Sequence, residues 1–84
     1  MSEKIISCAI HDYIEIACTF GYQVKLELFN EETVQGKAIT TETTKDKKEY
    51  LQLDGSSEVH KIELINIKSM TALQPNPHFD HIIF

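Results

Sequence analysis

Cys8-Ala-Ile-His-Asp-Tyr-Ile-Glu-Ile-Ala-Cys-Thr-Phe-Gly21 is the stretch whose reading decides the fold. Asp12 followed by Glu15 fits a capping box, in which the Asp oxygen accepts from an amide three residues on and the Glu reaches back. Gly21 supplies the left-handed residue that often closes a helix. The spacing therefore predicts a short helix over 12–20. At about 100° per residue, Asp12, Glu15 and Thr19 share one narrow stripe. Tyr13, Ile14, Ala17, Cys18 and Phe20 cover the rest, with Ile16 at the border. A helix this short does not hold alone in water. It must dock its apolar side and leave a small acidic stripe outward.

Downstream, the period changes from helical to two. Tyr22-Gln-Val-Lys-Leu-Glu-Leu28 alternates apolar and polar, the pattern of a half-buried strand. Asn30-Glu-Glu32 is a polar turn of hairpin length. A second strand covers 33–39, where Gly36 predicts a bulge or sharp bend. The run Thr40 to Lys48 reads as an exposed, mobile loop or the frayed ends of two strands. Strands follow at 49–54, 58–64 and 67–73, with a turn at Gly55-Ser-Ser57 and a kink at Ile65-Asn66. Pro75 and Pro77 lack amide donors and end regular pairing. The tail, Phe79-Asp-His-Ile-Ile-Phe84, is apolar enough for a final short strand, and Ile5 and Ile6 for an edge strand ahead of the helix. The core candidates are Val24, Leu26, Leu28, Leu51, Leu53, Ile62, Leu64 and Ile67.

One helix before five or six strands joined by tight turns predicts a mainly β (α+β) fold. The sheet would be antiparallel and strongly bent, nearly a small barrel, because closure removes unpaired edges. With 84 residues and no internal repeat, 1–84 forms a single domain with a thin core.

Composition narrows the function. Thirteen acidic residues against eight basic ones give a net charge of −5, with no arginine. Nucleic-acid binders need Lys and Arg to displace counterions from phosphates, so no direct nucleic-acid contact is expected. A basic protein surface is the better match. No run is long and apolar enough to span a membrane, and Met-Ser-Glu-Lys-Ile-Ile lacks the apolar run of a signal peptide. A cytoplasmic protein is expected, with Cys8 and Cys18 as free, buried thiols. Cys8-x2-His11 and His78-x2-His81 offer metal-ligand types, but nothing completes a site; no metal or cofactor is expected. Cys18 lies on the apolar side of the helix, where a thiol is inert. His60 has no obvious nucleophile beside it, and no glycine loop cradles phosphate; the chain is not expected to be an enzyme. Tyr22 and Tyr50 could stack on bases, but cross-strand packing is the simpler use for them.

Taken together, several segments resemble the bacterial Rho-binding antiterminator family, the Rof or YaeO proteins. They are Cys8, Asp12, Ile14-Glu-Ile-Ala-Cys18, Val24-Lys-Leu-Glu-Leu28, Gln35, Lys37-Ala38 and Glu49-Tyr-Leu51, spread over residues 8–73. The resemblance implies an Sm-like open barrel. It also implies binding to the hexameric termination factor Rho near its primary RNA-binding site, which blocks RNA loading and inhibits termination; separately, the free protein is expected to be a monomer. The Rho-binding residues implied are His11, Asp12, Tyr13, Glu15 and Thr19 on the helix, with Lys45, Asp46 and Lys47 as a second contact. His11 stands where the family carries a tyrosine, and Tyr13 where it carries a small amide residue. The competing reading is an Sm-like RNA-binding module. An acidic chain without arginine on an RNA-binding type of fold suits a protein that occupies another protein's RNA site.

Overall fold

Gly21 ends the helix as its sequence position suggests. The computed structural model describes residues 8–84, so an edge strand through Ile5 and Ile6 lies outside the described residues. Helix α1 spans Cys8–Phe20. At its end Gly21 adopts φ 64°. The Gly21 amide donates to the Cys18 carbonyl at 3.3 Å and the Tyr22 amide to the Ala17 carbonyl at 2.9 Å. This paired closure is the Schellman motif, with Tyr22 and Ala17 as its apolar contact.

The other end differs from expectation. The helix already runs at Cys8, so Asp12 lies inside it and is not a cap. The Glu15 amide is then bonded within the helix to the carbonyl four residues back. An Asp and a Glu three apart fit a capping box and a plain helix surface equally well, and here the second holds.

The chain continues through β1 (Gln23–Leu28), β2 (Thr33–Thr43), β3 (Glu49–Asp54) and β4 (Val59–Glu63). A 3-10 turn at Leu64–Asn66 occupies the expected kink, followed by β5 (Ile67–Ala72) and β6 (His81–Ile83). The six strands form one sheet in the order β4-β3-β2-β1-β5-β6, antiparallel throughout. The register breaks between Glu27 and Leu28 against β5, and between Ala38 and Thr40 against β3. Such breaks bend strands and raise their twist. The sheet curls enough for Ile62 of β4 and Met70 of β5 to share one core with Ile14 and Ala17 of α1. This is the mainly β, six-stranded open barrel that the pattern predicts.

Gly36 plays a different part from the one expected. The bend comes at Ile39, whereas a Cβ at Gly36 would sit 2.8 Å from the Asp54 carbonyl oxygen. Gly36 therefore permits close approach of β2 and β3. Of the core candidates, Leu28 is half-buried, lying at the end of β1 beside the register break, and the others are buried. Cys8 is exposed and Cys18 half-buried rather than both being buried, and both thiols are free.

The run expected to be mobile or frayed is an ordered hairpin. β2 continues to Thr43 and β3 starts at Glu49. The Lys47 amide donates to the Thr44 carbonyl and the Thr44 amide to the Lys48 carbonyl, both at 2.9 Å. Lys47 takes φ 64°. That is a type I turn followed by a left-handed residue, a common three-residue hairpin. Thr44 Oγ1 donates to Asp46 Oδ1 and accepts from the Lys48 amide at 3.2 Å. A polar sequence without glycine gave no sign of this order.

Candidate functional site

Helix α1 lies against β2. Near Gly21, the Ala38 amide of β2 donates to the Tyr22 carbonyl at 2.9 Å. From there the helix and the strand run side by side. The helical rise from Gly21 back to His11 is about 15 Å, and the strand from Ala38 to Thr43 extends about 17 Å. The two lengths match, so the far end of the helix meets the tip of the β2–β3 hairpin. There His11 Nε2 lies 2.8 Å from Glu49 Oε2. Glu49 opens β3 and pairs with Thr43 as the base of the hairpin.

Asp12, Glu15 and Thr19 are all exposed, on the stripe that helical spacing assigns them. Among the described residues, neither the Asp12 nor the Glu15 carboxylate makes a hydrogen bond or an ion pair. Burial raises the Cys18 thiol pKa, and the negative charge of Glu15 adds to the effect.

Beside this acidic face stands the hairpin tip. Lys45 and Lys47 are exposed. Asp46 is engaged within the loop, with its carboxylate on Thr44 and 3.9 Å from Lys48 Nζ. The hydrogen bond from Thr44 is the main cause holding its carboxyl below the usual range. The surface thus carries both signs, acid on the helix and base on the hairpin.

The structure brings His11, Asp12, Glu15 and the hairpin to one end of the molecule. It does not bring Tyr13 with them. That ring is half-buried and meets Phe79 edge-on, 5.8 Å between centroids, in an aromatic cluster with Tyr22. Thr19 sits at the other end of the stripe, next to exposed Phe20. Tyr22 is buried, consistent with packing rather than base stacking. Glu49 was missed by sequence reasoning. Its partner lies 38 residues away, and no local pattern signals such a contact.

No group of three or more metal-type side chains occurs among the described residues. A surface cavity of about 520 Å³ lies between the end of β1 and β4, lined by Phe29, Lys61, Glu63 and Asn66 among others. It is formed by elements other than α1. Among the described residues no helix is long and apolar enough to cross a membrane.

The model of the family described as modulator of Rho-dependent transcription termination (ROF) matches residues 5–84. The chain belongs to this family. A solved structure, YaeO bound to magnesium from Vibrio cholerae O395, is 40% identical, covering 87% of this chain and 95% of that one at a TM-score of 0.81. No curated protein matches. The family is regulatory and described by its effect on termination rather than by a reaction. Membership places this protein in Rho-dependent termination and implies Rho as its partner.

Proposed function

We propose that the protein binds Rho directly at its primary RNA-binding region, keeps RNA from loading and so inhibits termination. The observation that carries this reading is the outward face of α1. Asp12 and Glu15 lie one turn apart and both are exposed. Neither has a cationic partner among the described residues. An RNA-loading surface is basic because it must neutralise phosphates. An unpaired acidic face on a chain without arginine complements it, and complementary charge speeds encounter and fixes orientation. Lys45 and Lys47 make a second, weaker contact at the rim. The free protein is a monomer and acts on the Rho hexamer.

A pull-down from bacterial lysate, with and without nuclease, tests the partner. Retention of Rho after nuclease supports the proposal. Recovery of RNA alone, lost after nuclease, would assign the chain to RNA-binding modules instead.

A further inference from the structure

We infer that the His11–Glu49 pair is a positioning clamp that fixes the His11 turn of α1 against the β2–β3 hairpin, so that the acidic face and the lysine tip are presented as one rigid surface. This rests on the reading of α1 as the Rho-facing element, and it names what holds that element in place.

The two ends of α1 are held differently. The C-terminal end is bonded into the chain that follows, through the Tyr22 amide to Ala17 and the Ala38 amide to Tyr22, each at 2.9 Å. The rest is seated by the buried side chains of Ile14 and Ala17, with Ile10 and Tyr13 packed against the same core. Apolar burial is not directional in itself; a hydrogen bond adds a fixed distance and angle to what packing already holds. The far end carries His11, whose Nε2 lies 2.8 Å from Glu49 Oε2 with side chains 37% and 40% exposed. Loss of this bond removes the described polar tie between the His11 turn and β3 and lets the helix shift about its Gly21 anchor. A swing of about 10° about Gly21 moves Asp12 by roughly 2 Å. Hydrogen bonds and ion pairs weaken steeply over such a distance.

Glu49 is also well placed to fix the other half of the surface. It follows Lys48 directly and forms the closing pair of the hairpin with Thr43. A bond to its carboxylate sets the helix relative to Lys45 and Lys47 as well as to the sheet. His11 lies next to Asp12 and one turn before Glu15, so what holds His11 holds both carboxylates.

The test is a double-mutant cycle on the full chain, read as affinity for purified Rho. His11→Ala and Glu49→Leu should each weaken binding about five-fold. The double variant should bind no more weakly than the worse single, because the two residues act through one bond. His11→Gln, whose amide can still donate to Glu49, should stay within about two-fold of the parent. Amide exchange over residues 10–16 of the free variants should speed up with His11→Ala and with Glu49→Leu, and not with His11→Gln.

Loss with His11→Ala but not with Glu49→Leu would make His11 a direct contact and overturn the clamp. Additive losses, or His11→Gln as weak as His11→Ala, would also overturn it. The Asp12→Lys/Glu15→Lys variant is run in parallel. If it binds Rho like the parent, the Rho-facing reading fails, and exchange alone then decides the clamp, with unchanged exchange refuting it.

Discussion

Lys61 Nζ on β4 donates to Glu42 Oε2 on β2 at 2.8 Å, reaching across β3 on the face of the sheet away from the core. Gln52 of β3 donates to the other Glu42 oxygen at 3.1 Å, and the ammonium sits 4.9 Å from the centroid of the Tyr50 ring. Three neighbouring strands are thus tied by side chains as well as by their backbone ladder. The hydrogen bond from Lys61 is the main cause holding the Glu42 carboxyl below its ordinary range, with help from the Lys61 charge and from Gln52. Lys61→Met should raise the Glu42 pKa, read by carbon NMR of the carboxyl across an acid titration. A carboxyl depressed in the folded state contributes stability above its unfolded pKa and loses it as pH falls through the folded value. The stability advantage of the parent over Lys61→Met should therefore be present near neutral pH and shrink as acid protonates Glu42. An unmoved Glu42 titration would show that the pair does not hold in solution.

The thiols give a second expected outcome. Cys18 is half-buried and its pKa is raised, first by burial and then by Glu15. Cys8 is exposed. Since the thiolate is the reactive form, Cys8 should be labelled by a thiol reagent well before Cys18 near neutral pH. Glu15→Gln should lower the Cys18 pKa and speed its labelling. Intact mass of freshly purified protein should show both cysteines reduced; a loss of two hydrogens would contradict this.

Backbone conformation supplies a third. Glu31 sits in the β1–β2 turn at φ 69°, a region that costs a non-glycine residue roughly 1–2 kcal/mol. Glycine there gives back about 0.4–1 kcal/mol through its more flexible unfolded chain. Glu31→Gly should still gain about 0.5–1 kcal/mol, a rise of several degrees in Tm. Gly36→Ala should do the reverse, because its Cβ would meet the Asp54 carbonyl oxygen at 2.8 Å. Thermal melts of the two variants should move in opposite directions.

The legible part of the fold was that written in short-range pattern. Val24 and Leu26 alternate with charged or polar neighbours, and they are fully buried. Gly21 marks the helix end because few residues take φ 64° without strain. What the pattern missed depends on tertiary context. The helix start was misplaced because Asp12 and Glu15 look alike as cap and as surface. Phe79 and Met70 enter the core, but a tail after two prolines and a register break at β5 hide them from a period-two count. The candidate surface was half legible: the acidic stripe follows from helical spacing alone. Glu49, and the turning of Tyr13 toward Phe79, depend on which strand the helix lies against.

Charge reversal on α1 is the most direct measurement of the central claim. Asp12→Lys with Glu15→Lys replaces attraction by like-charge repulsion, which at an interface costs several kcal/mol. At about 1.4 kcal/mol per decade, affinity for Rho should fall about 100-fold or more. Asp12 lies inside the helix rather than at its cap, and lysine has the higher helix propensity, so the melting curve should stay close to the parent's. Asp12→Asn, which removes one charge, should fall between. The reading is displacement of a labelled pyrimidine-rich RNA from Rho, with a melt of each variant beside it. The expected result is a folded double-lysine protein that no longer displaces the RNA. A folded double-lysine protein that displaces it as well as the parent would rule out α1 as the Rho-facing surface.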